Sequence, residues 1–174
     1  MASKVLLLLL SLAAAQEESR QSETLIRHLV PNYDALLQRK LDAKPEYEVL
    51  VPKTEEESDQ LIASNLGLYL QLQDEVFREG GLSAALSEVI QSMIKVGFVT
   101  PTEREVDRFY TIFERLSPQE LTKLRSGIPK QMEEIESTLK EIKSSETEVK
   151  RSERENAHDE QQERLMLSRM NRRV

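Results

Sequence analysis

The sequence predicts an all-α fold, and three observations lead there. Leu, Glu, Lys, Gln and Ser abound, while glycine stops at five residues and aromatics at 5%; these are helix formers and cappers rather than strand formers. Apolar residues recur three and four positions apart, the spacing that lines one face of a helix. Hydroxyl residues followed by Pro and Glu mark repeated helix starts, with Gly or Pro at the stops. The expectation is a single compact domain over residues 16–143, built from about six or seven short-to-medium helices and a longer C-terminal one. A charged extension, helical or disordered, covers residues 144–174.

The N-terminus has the three-part layout of a secretory signal peptide over residues 1–15. Lys4 gives a positive start, Val5 to Leu12 is apolar except for Ser11, and Ala13-Ala14-Ala15 supplies the small residues of a cleavage site before Gln16. The apolar run is about half the length that spans a hydrocarbon core. Secretion into the extracellular space is expected rather than a retained anchor.

Leu25 to Val30 forms a short apolar segment ended by Pro31. Tyr33, Leu36, Leu37 and Leu41 then share one helix face, which must finish by Lys44 because Pro45 disfavours α geometry in the residue before it. Glu46 to Lys53 alternates β-type residues but has no second strand to pair with, so an extended linker is expected. Thr54-Glu55-Glu56-Glu57 reads as a capping box opening a helix with Leu61, Ile62, Leu66, Tyr69, Leu72, Val76 and Phe77, stopped at Gly80-Gly81. Ser83 caps the next, whose apolar set is Leu86, Val89, Ile90, Met93 and Ile94, ending at Gly97. Thr100-Pro101-Thr102-Glu103 and Ser117-Pro118-Gln119-Glu120 each place a hydroxyl at the N-cap, Pro at the first helical position and Glu at the third. The first of these helices presents Val106, Phe109, Tyr110 and Phe113; the second presents Leu121 and Leu124 and is cut short by Gly127.

From Pro129, Met132, Ile135, Leu139, Ile142 and Val149 keep a spacing of three and four, with one apolar position lost at Glu146. Beyond about Ser144 polar and charged residues dominate, too few of them apolar to dock firmly. The final stretch turns basic through Arg169, Arg172 and Arg173 and carries Leu165, Met166, Leu167 and Met170. Met166 and Met170 are four apart, so a short amphipathic contact, including a transient one with a membrane, is allowed.

Composition excludes several chemistries. With no cysteine and only His28 and His158, far apart in the chain, neither structural zinc nor Cys/His catalysis is expected. No Gly-rich phosphate loop, Gly-x-Ser-x-Gly elbow or calcium-loop spacing occurs. The acids at Glu55 to Glu57, Glu133-Glu134 and Glu136 fall in first turns or on solvated faces. Hence no enzyme, catalytic residue, metal or cofactor is expected. A net charge of −7 repels phosphate backbones and argues against nucleic acid.

The motifs from Leu116-Ser117-Pro118-Gln119-Glu120-Leu121 through Ile128-Pro129 resemble the nematode fatty-acid- and retinol-binding proteins. In that family a helix ends near a Leu, a capped short helix follows, and an aromatic-Pro pair precedes the last helix. Phe109-Tyr110 and Leu116 correspond to the earlier helix, and Ile128 replaces the aromatic. Leu29-Val30-Pro31 is similar to the family's opening, and the likeness spans residues 24 to 142. It implies a secreted helical carrier of a fatty acid or retinoid, held in a cavity between helices. The apolar residues Leu66, Tyr69, Leu72, Val89, Ile90, Met93, Phe109, Tyr110 and Phe113 are the candidate lining. Lys95, Arg104 or Arg108 is the candidate anchor for a ligand carboxylate.

From the residues themselves the same apolar inventory encloses either a dry core or a cavity. Phe113 separates the two: in a core its truncation opens a void, whereas against a lipid-sized cavity it costs little stability and weakens ligand uptake. The alternative function is a secreted, non-enzymatic protein-interaction module with a solid core, docking through the Pro129–Val149 helix or the charged tail onto a partner protein.

Overall fold

The computed structural model of the chain describes residues 24–54 and 57–171. The expected signal peptide, its cleavage site and Arg172-Arg173 lie outside them. Among the described residues every regular element is a helix and none is a strand, so the chain is all-α.

Residues 24–29 are helical and bury Leu25, Ile26 and Leu29, with Val30 fully buried just before Pro31. Helix α1 (Tyr33–Ala43) follows and ends on extended Lys44, as the residue before a proline requires. The next segment corrects the expected linker. Pro45–Leu50 is a 3-10 helix that buries Tyr47 and Leu50. Its apolar residues sit three apart, and at three residues per turn that spacing stacks them on one side.

The capping box expected at Thr54 is not made. The Glu57 N–H donates to the backbone carbonyl of Thr54 at 3.2 Å rather than to its side chain, and α2 (Ser58–Ser64) begins without a side-chain cap. Nor is the following helix continuous, since Asn65 leaves helical geometry between α2 and α3 (Leu66–Glu79). Its side-chain amide donates to the Leu61 carbonyl at 3.0 Å, the local competition with the backbone that makes Asn a poor interior helix residue.

Helix α3 is central, packing against α1, the 3-10 helix, α2 and α4 (Ala84–Val96). Leu72, Val76 and Phe77 are its buried apolar face. It ends in a Schellman motif: Leu82 N–H donates to Phe77 O at 3.0 Å, Gly81 N–H to Arg78 O at 3.2 Å, and Gly81 takes the positive φ of 94° that only glycine adopts freely. Buried Leu82 stands at the position of the motif that pairs with Phe77.

Ser83 caps α4 by accepting from Leu86 N–H at 3.1 Å, and α4 packs on α5 (Glu103–Phe113). Here the expected start moves by two residues. Thr102, not Thr100, is the N-cap, and Glu105, not Glu103, closes the box. Helix α6 (Pro118–Gly127) starts as its sequence predicts, with Ser117 and Glu120 capping each other. Glu120 also accepts the Ser83 hydroxyl proton, so one carboxylate ties two helix starts together.

Helix α7 (Pro129–Asn171) is 43 residues long. Met132 and Ile135 are buried, Leu139 and Ile142 are half-buried, and residues 146–170 are exposed throughout. The helix runs on as far as Asn171. Residues up to Glu134 form one compact unit and those from Ile135 another.

Candidate functional site

The packing of α4 on α5 leaves a cleft of about 290 Å³ between them, at the small end of ligand pockets, which run from roughly 300 to 1,000 Å³. Glu88, Ser92, Lys95 and Val96 come from α4, Val99 and Pro101 from the connection, and Glu105, Val106, Arg108 and Phe109 from α5. Val96, Val106 and Phe109 are buried and form an apolar floor. Spacing places these groups together: Glu88, Ser92 and Lys95 lie one turn apart on α4, and Arg108 and Phe109 lie one turn beyond Glu105 on α5.

Two ion pairs cross the rim. Lys95 donates to Glu105, and Arg108 donates to Glu88 Oε1 at 2.7 Å. Glu105 also accepts the Thr102 N–H at 2.8 Å, so the group that caps α5 also joins it to α4. The Lys95 hydrogen bond and then the Thr102 N–H hold the Glu105 carboxyl down at about 2, from its ordinary 4.5.

A carboxylate depressed by folding stabilises the folded state above its unfolded pKa and loses that contribution as pH falls. Thermal melting of the native chain should therefore decline from pH 4.5 towards about 2 through this group. Glu105→Gln should melt lower than the native chain near neutrality, and the gap should close in acid. A constant gap across the titration would show that Glu105 acts only as a neutral cap.

The cleft is not the cavity expected from the sequence. Of its nine candidate lining residues only Phe109 reaches it. Leu72, Val89, Ile90, Phe109, Tyr110 and Phe113 are buried, and Leu66, Tyr69 and Met93 are half-buried. The aromatic members pack on one another: Phe109 meets Tyr110 edge-on at 5.3 Å and stacks with Phe113 at 6.0 Å. Lys95 and Arg108 do line the cleft, but each already faces a carboxylate, while Arg104 is exposed and is not part of the lining. A ligand carboxylate entering there has to displace Glu105 or Glu88. The rim therefore suits a compact neutral or apolar group better than a fatty-acid head.

Sequence reasoning missed the acids of this rim. Thr102-x-x-Glu105 was the signal available for one of them, a capping box two residues beyond the one chosen. Nothing local ties Glu105 to Lys95 or Glu88 to Arg108.

A second charged cluster fastens α1 to α3. Glu75 accepts from Lys44 at 2.7 Å and from the Tyr47 hydroxyl at 2.8 Å, while Glu79 pairs with Lys40 at 2.8 Å and with Arg39. Its Lys44 bond lowers the Glu75 carboxyl, and the same bond raises Lys44. Each charge here faces one of opposite sign, which makes the cluster a clamp rather than a site. No group of acids and histidines among the described residues is placed to hold a metal ion, and none of their helices is long and apolar enough to cross a membrane.

The end of α7 is apolar and exposed. Leu165, Met166, Leu167 and Met170 are 54%, 64%, 55% and 68% exposed, above the other exposed large apolar residues of the described chain except Val149 at 57%. No protein-family model, curated protein or solved structure matches this chain.

Proposed function

We propose that this protein is a secreted, non-enzymatic docking module that engages a partner surface through its C-terminal helix. The observation that carries the reading is the exposure of α7 from residue 146 to residue 170 while the helix keeps regular geometry. At 1.5 Å per residue the 43 residues of α7 make a rod of roughly 65 Å. Its apolar residues gain about 25 cal/mol per Å² when removed from water, and its last turns offer them as a group.

Ending the chain at Lys150 tests this. The truncated protein should melt within a few degrees of the full chain, because residues 151–170 are exposed. Fluorescently labelled full chain should bind intact cells of the source organism, and the truncated chain should not. Equal binding by both, or loss of cooperative melting on truncation, overturns the reading.

A second reading is a carrier of a small hydrophobic ligand such as a fatty acid or retinoid. The cleft between α4 and α5 favours it, with its apolar floor of Val96, Val106 and Phe109, as does the resemblance at residues 116–129 to the fatty-acid- and retinol-binding proteins. Native mass spectrometry of the purified mature protein distinguishes the two: a co-purified lipid supports the carrier, a bare protein the docking module.

A further inference from the structure

The end of α7 combines two properties that lie apart elsewhere on that helix. At 100° per residue, Met166, Met170 and Leu167 fall within an arc of about 100°, and Leu165 extends it on the far side of Arg169. All four are more than half exposed. The charge changes sign at the same place. Residues 153–163 carry five acids and one arginine, whereas residues 164–173 carry four arginines and no acid. An exposed apolar face among arginines is the pattern of a helix that seats at a lipid–water interface, with long cationic side chains reaching for headgroups.

A second copy of the chain fits this end poorly. In a parallel pairing along the seam that continues Leu139 and Ile142, Glu146, Glu153, Glu160 and Glu163 stack against themselves. In antiparallel registers that overlap the acidic stretch, Leu167 and Met170 meet Asn156, Glu153 or Glu160 instead of apolar residues.

Resting on the reading of α7 as the docking element, we infer that its partner is an anionic phospholipid surface, engaged end first by Leu165 to Met170 with Arg164 and Arg169 pairing to headgroups. The acidic stretch just before sets the direction: the same surface repels residues 153–163, so the helix approaches by its end.

Co-sedimentation of the full chain with vesicles tests the inference. Vesicles of phosphatidylcholine with about 30 mol % phosphatidylserine should carry the protein down, and phosphatidylcholine alone should not. Met166→Glu/Met170→Glu should lower the bound fraction about tenfold, and Arg164→Gln/Arg169→Gln should lower it and weaken its salt dependence. Both pairs are exposed, so helicity by circular dichroism should not change. Equal binding to both vesicle types, or unchanged binding by the methionine variant, overturns the lipid assignment. If cell binding needs residues 151–174 while vesicles bind nothing, the docking reading stands and its partner is a protein.

Discussion

Phe113→Ala is expected to destabilise the fold by about 3–5 kcal/mol, the range for emptying a buried aromatic site. Phe113 is 3% exposed and stacks on Phe109, which is itself turned edge-on to Tyr110. Val106 and Ile112 are buried on the same helix. Removing the ring leaves a void that this packing closes only in part, so the loss includes both transfer and cavity terms. Urea unfolding followed by circular dichroism measures it. From sequence alone the expectation for this variant was a cavity behind Phe113, with modest destabilisation and weaker uptake of a fluorescent fatty acid. A loss below about 1 kcal/mol with impaired uptake would restore that alternative, because an under-packed site has little cavity cost to add.

Tyr47→Ala should be comparably severe, at about 3–5 kcal/mol, although it lies in a segment with little outward sign of importance. Tyr47 is fully buried, and its hydroxyl donates to Glu75 at 2.8 Å. Tyr47→Phe separates ring from hydroxyl: it keeps the packing and removes one bond to a charged acceptor, worth about 1.5–3 kcal/mol. A third measurement uses pH. Burial, then the bond to Glu75, raises the Tyr47 phenol above its ordinary value of 10.0. Stability from a raised group is complete below the unfolded pKa and lost above it. The native chain should therefore weaken above pH 10.0, and Tyr47→Phe should remove part of that alkaline loss. If Tyr47→Ala melts like the native chain, the 3-10 helix is not a structural anchor.

The sequence by itself determined the all-α class, most of the helices and several of their ends, though not the 3-10 helix at Pro45–Leu50. Ser83, Ser117 and Gly81 act where they were expected to, because capping and left-handed turns are settled within four or five residues. The same holds for the buried face of α5, where Val106, Phe109, Tyr110 and Phe113 follow from helical spacing alone. Tertiary structure decided the rest. The sequence pointed to Thr100 as a cap, whereas the cap is Thr102, whose partner Glu105 meets Lys95, ten residues back. Tyr47 left the expected linker for the core because Glu75, 28 residues on, offers an acceptor that no local pattern announces. The cleft is less legible still, since Glu88 and Arg108 lie on different helices and meet only through the packing of α4 on α5. Periodicity identifies which side chains leave water; what they meet there depends on contacts between residues distant in sequence.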